Sequence, residues 1–162
     1  MQSKLDAAIE SLTAQFAARF RETLRPIRMV GKEAEFPVVT RDGRAADVAA
    51  LLRALCDEHG FVPHYDDPET HQVLIAAERA GMYVAIEVGR GTVEITTRPA
   101  DDLIELQKKF NDTLALVTRV AASRQMFLLG FGIQPRTPAT RALMTPRAHY
   151  HALYNAIGAP IG

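Results

Sequence analysis

The chain has 162 residues, 48% of them hydrophobic, enough for one domain with a real core and too few for two comfortable ones. Its 19 basic and 19 acidic side chains cancel, so no global positive field draws it to a nucleic-acid backbone or an anionic membrane, and neither is an expected partner. The lone Cys56 has no internal disulfide partner, no Cys/His cluster has zinc-site spacing, and no apolar run approaches the roughly 20 residues that span a bilayer, so a reducing, cytoplasmic setting is expected.

In chain order, residues 1–25 read as an amphipathic helix, with Leu5, Ile9, Leu12, Phe16, Phe20 and Leu24 at spacings of three and four and an end near Pro26. Ile27 to Thr40 reads as a long strand closed by Arg41-Asp42-Gly43-Arg44. Val48, Leu51, Leu52 and Leu55 mark a second helix that Gly60 ends, with Cys56 as a core or near-core thiol. Apolar runs at Phe61 to Tyr65, Val73 to Ala77, Met82 to Val88 and Thr92 to Thr97, separated by Asp66-Asp67-Pro68, Gly81 and Gly89-Arg90-Gly91, predict an antiparallel meander. A third helix is expected over about Asp101 to Ser123, a glycine-bearing strand over Met126 to Ile133, and a last helix opened by Pro146 and running through Asn155. The expected fold class is α+β, an antiparallel sheet with helices packed on one face, in a single domain over residues 1–162.

Within the first strand, Gly31-Lys32-Glu33-Ala34-Glu35-Phe36 sets two carboxylates two residues apart. Side chains alternate across a strand, so Glu33 and Glu35 share one face while Ala34, Phe36 and Val38 share the other. Solvated outer-face acids would give the same alternation. A second pair sharpens the alternatives. If the hairpin connection after Met82 to Val88 has an even length, Glu87 falls opposite Thr92 and Ala85 opposite Glu94, so Glu87 and Glu94 share a face while Val84, Ile86, Val93 and Ile95 fall behind them. Glu33, Glu35, Glu87 and Glu94 then form one surface of hard oxygen ligands suited to Mg²⁺. Magnesium commonly recruits substrate phosphates, so a nucleotide site is expected there. No glycine-rich phosphate loop is present.

Four segments in order carry a resemblance: Gly31 to Phe36; Val93-Glu94-Ile95-Thr96-Thr97-Arg98-Pro99; Phe127-Leu128-Leu129-Gly130-Phe131-Gly132-Ile133-Gln134-Pro135; and Met144-Thr145-Pro146-Arg147-Ala148-His149-Tyr150. Over about Val30 to Ile157 the chain resembles the N-terminal half of a glutamate–cysteine ligase of the plant and proteobacterial type, in the carboxylate–amine ligase group related to glutamine synthetase. The resemblance implies half of a glutamine synthetase-like catalytic domain and an ATP- and Mg²⁺-dependent ligase. In that reaction the γ-carboxylate of glutamate becomes an acyl phosphate, and the amine of cysteine attacks it to give γ-glutamylcysteine, the first step of glutathione synthesis. The implied partners are ATP, glutamate and cysteine. Metal or ATP binding carries over to Glu33, Glu35 and Glu94; Glu87 is added from the hairpin register.

The chain departs from the pattern in places. Bulkier Thr96, Thr97 and Arg98 stand where the family has small residues, leaving Arg98 either a substrate or phosphate contact, as at a cofactor site, or the partner of an acid. Arg147 is read as an anion contact or a solvent-facing side chain. His149 and His151, two apart on a helix, point in different directions and are not expected to share a metal. Members of the family run to several hundred residues, so the chain reads as the N-terminal portion of such an enzyme, shortened or a short relative, and is not expected to be active by itself. The competing readings are a ligase for a different amine, or a non-catalytic module that binds a partner or self-associates through an open sheet edge.

Overall fold

The computed structural model describes residues 2–23, 28–66 and 72–157; Leu24, Pro26, Asp67-Pro68 and the closing Gly158 to Gly162 lie outside the described residues. The elements run α1 (Gln2–Thr23), β1 (Glu33–Thr40), α2 (Val48–His59), β2 (Val62–Tyr65), β3 (Leu74–Arg79), β4 (Met82–Ile86), β5 (Thr92–Thr97), α3 (Leu103–Ala122), β6 (Met126–Leu128), a 3₁₀ turn (Arg141–Leu143) and α4 (Ala148–Ile157). The strands form one open antiparallel sheet in the order β2-β3-β4-β5-β1-β6, so the chain is α+β.

Local chemistry sets the two backing helices. Asp47 caps α2 by accepting from the Ala49 amide at 3.0 Å, and Gly60 ends it in the left-handed region at φ +68°, a conformation that costs glycine least. Asp102 caps α3 through the Ile104 and Glu105 amides at 2.8 and 3.1 Å. Val48, Leu51, Leu52 and Leu55 of α2 and Leu106, Phe110, Val117 and Val120 of α3 are buried. They pack with Val38, Val84, Ile86, Val93 and Ile95, all but Leu106 in one contiguous core, and each buried Leu or Ile contributes on the order of 1.5–3 kcal/mol. Cys56 is half-buried beside this core, and burial pushes its thiol pKa up, as befits a packing residue.

Three expected boundaries move. Of the strand expected over Ile27 to Thr40, Ile27 lies outside the described residues; over the rest the strand begins at Glu33, because Val30 only bridges to Ala100 and residues 31–32 lie between. The strand expected over Met126 to Ile133 is paired only over Met126–Leu128, where it meets Val38–Thr40. It continues to one further backbone bond, Leu129 N–H to the Pro37 carbonyl at 2.9 Å, and then bends through Gly130 and Gly132. Pro146 does not open the last helix; it lies two residues before α4, whose first turn starts from the Arg147 carbonyl, which accepts from the Tyr150 and His151 amides. Helix α1 forms as expected, with every described side chain from Lys4 to Arg19 exposed. Among the described residues no helix is long and apolar enough to cross a membrane.

Candidate functional site

The face of the sheet turned away from α2 and α3 carries the acids. Strand β1 pairs with β5 so that Glu35 stands directly opposite Glu94 and Glu33 opposite Thr96. Strand β4 flanks β5 on its other side with Ala85 opposite Glu94 and Tyr83 opposite Thr96. The Glu87 amide donates to the Thr92 carbonyl at 3.1 Å, which extends this register and meets the even-length condition on the β4–β5 connection. Glu87 and Glu94 therefore lie on the same face as Glu35.

One carboxylate oxygen from each of Glu35, Glu87 and Glu94 lies within 4.8 Å of the others. Three like charges at that range repel, and partial burial removes some of the water that would screen them. Burial pushes the Glu87 carboxyl above the ordinary carboxylate range, with the charges of Glu94 and Glu35 adding to the effect and the Val88 amide opposing it. The Thr96 hydroxyl donates to Glu94 Oε1 at 2.6 Å, fixing that carboxylate's rotation. A magnesium ion takes oxygens at about 2.1 Å, so opposite ligands stand about 4.2 Å apart; three hard donors within 4.8 Å fit such an ion after small rotamer changes.

The other residues expected at a site are placed differently. Glu33 shares the face but is exposed two residues along β1, outside the close trio. Arg98 lies four residues past Glu94, 77% exposed, and ion-pairs with Glu78 at 2.7 Å. Arg147 is neither free nor solvent-facing: its Nε donates to Asp66 Oδ1 at 2.8 Å, and its guanidinium lies 5.1 Å from the Tyr150 ring centroid. Tyr83 feels the charges of both Arg147 and Glu94. Burial pushes its phenol pKa up, Arg147 opposes that, and Glu78 and Glu94 reinforce it. The carboxylate face is thus anionic at one end and has a half-buried guanidinium near Tyr83. His149 is exposed and His151 half-buried, and they share no metal cluster among the described residues.

Sequence reasoning passed over Thr96 and Thr145. Thr96 is two residues from Glu94, so the strand alternation that paired Glu33 with Glu35 also places it on the acid face. Thr145 is buried; its hydroxyl donates to the Glu87 carbonyl at 2.6 Å and its amide to the Val88 carbonyl at 2.7 Å, tying the 143–145 segment to the hairpin end beneath the site. Nothing local in the sequence marks that long-range pairing.

The profile of glutamate-cysteine ligase family 2 matches residues 29–161, a span that holds every strand, α2, α3, α4 and the three converging carboxylates. No curated protein matches the chain.

Proposed function

This chain belongs to glutamate-cysteine ligase family 2, and from that premise we propose that it serves the ATP- and Mg²⁺-dependent joining of the L-glutamate γ-carboxylate to the amine of L-cysteine in the cytoplasm. The γ-phosphoryl group of ATP passes to a γ-carboxylate oxygen of glutamate and ADP leaves. The cysteine amine then attacks the acyl carbon, phosphate departs with the C–O bond, and the amine loses a proton to give γ-glutamylcysteine. The single observation that carries this reading is the convergence of Glu35, Glu87 and Glu94 on one sheet face inside the matched span.

Phosphoryl transfer is chiefly positioning and charge neutralisation, so a site for it needs anionic metal ligands and a few basic groups. Bound Mg²⁺ would supply neutralisation of the phosphate oxygens. Glu35, Glu87 and Glu94 would hold it, and Thr96 would keep Glu94 turned inward. Glu33, on the same face, is placed to reach a second cation or a bound water. Arg147, near Tyr83, is the basic group best placed for an anionic substrate group, with Asp66 holding it in reserve. Arg98, committed to Glu78, would reach a phosphate only by leaving that partner.

Calorimetry with Mg²⁺ and a non-hydrolysable ATP analogue tests the reading. Binding is expected for the native chain and at least a tenfold loss for Glu35→Gln and Glu94→Gln; equal binding by folded double-variant protein would overturn it. Phosphate release in the presence of glutamate and a panel of amines then distinguishes cysteine from other acceptors.

A further inference from the structure

Helix α1 (Gln2–Thr23) lies before the family match, and Leu5, Ile9 and Leu12 on it are 56%, 53% and 66% exposed. These residues stand four and three apart, and Phe16 follows at four, which is the alternation of the core positions of a coiled coil. The positions beside this seam are small or uncharged except for Asp6: Ala8, Thr13 and Gln15 let a neighbouring backbone approach closely. Most helical stability in proteins comes from packing an apolar face, and every described side chain of α1 from Lys4 to Arg19 is exposed.

The charges select the partner and its direction. The helix carries Lys4, Arg19 and Arg21 against Asp6, Glu10 and Glu22, and so lacks the Lys/Arg-rich polar face of a helix that lies on an anionic membrane. Its first half holds one cation and two anions, net −1, and its second half two cations and one anion, net +1. Side by side in the same direction, two copies would set like half against like half and Arg19 against Arg19 in the seam. Reversed, the acidic half of each copy faces the basic half of the other, and the helix dipoles oppose favourably. We propose that α1 is a self-association helix through which two copies of this chain pair antiparallel, Ile9 against Leu12 and Leu5 against Phe16 of the second copy.

Sedimentation of the full chain tests this between about 1 and 500 µM, because a two-heptad seam is short and a dissociation constant on the order of 10 µM is expected. Ile9→Glu with Leu12→Glu alters only exposed side chains and is expected to weaken the dimer at least 100-fold, whereas Ala14→Gln, on the opposite side of the helix, leaves it intact. For direction, a nitroxide is placed at Lys4→Cys in a Cys56→Ser background. With a rise of 1.5 Å per residue, antiparallel copies separate the labels by about 20 Å and parallel copies by about 10 Å. Monomer at every concentration, a dimer indifferent to the double variant, labels about 10 Å apart, or binding to phosphatidylserine vesicles that the double variant abolishes would each overturn the proposal. The result is independent of the metal-site reading, since none of these variants touches the sheet.

Discussion

Glu87 is held in the folded protein above its ordinary ionisation range, chiefly by burial and then by Glu94 and Glu35. A carboxyl whose folded pKa is raised contributes stability below its unfolded pKa and loses it as pH rises through the folded one. Glu87→Gln, which keeps the shape and drops the charge, is therefore expected to raise the metal-free melting temperature at pH 7 and to change it little near pH 3, as differential scanning calorimetry would show. The same substitution is expected to weaken Mg²⁺ binding, so its effects on stability and ligation have opposite signs. Thr96→Val removes the donor to Glu94 Oε1 without altering volume, and about a tenfold loss of Mg²⁺ affinity is expected by calorimetry, with Thr96→Ser restoring it. Strand parity, together with an even-length connection after Met82 to Val88, made Glu33, Glu35, Glu87 and Glu94 legible as co-facial. It did not separate Glu33 from the close trio, because that depends on which residues of β5 and β4 stand opposite. Nor did it find the partners of Arg98 and Arg147, since Glu78 and Asp66 lie on strands or loops far away in sequence.

Among the elements, α2 and α3 were readable because their apolar stripes and the stop at Gly60 are local; the structure adds the caps Asp47 and Asp102 at the points where the apolar period starts. Strand β6 was overextended because apolar character does not say where pairing stops. β6 meets β1 over Val38 to Thr40 and adds one bond from the Leu129 amide to the Pro37 carbonyl; Pro37 has no N–H to return it, and the ladder ends there although β1 itself extends to Glu33. The β4–β5 connection depends on two contacts of the same non-local kind. A Cβ on Gly91 would lie 2.7 Å from both Ala45 Cβ and Gln134 Nε2, so Gly91→Ala is expected to destabilise by about 1–3 kcal/mol in urea unfolding, since overpacking forces neighbours apart. Thr145→Val would leave the partly buried Glu87 carbonyl without its hydroxyl donor and is expected to cost about 1–3 kcal/mol, with faster hydrogen exchange confined to the hairpin end.

Across the whole molecule the sheet divides labour between its faces. Leu52 is fully buried between α2 and the sheet, and Leu52→Ala is expected to lower unfolding free energy by about 2–5 kcal/mol while leaving Mg²⁺ affinity of the folded fraction unchanged. Glu35→Gln should do the reverse, and denaturation curves with and without Mg²⁺ separate the two. Two of the converging carboxylates travel on one hairpin, Glu87 and Glu94, whereas Glu35 arrives on a strand made much earlier in the chain and joins only when β1 docks on β5. Closing so long a loop is slow compared with forming a hairpin. The cation site is therefore a clock for chain assembly: in refolding followed by Mn²⁺ resonance, full ion uptake is expected to appear with the slowest phase, after the β4–β5 hairpin has formed.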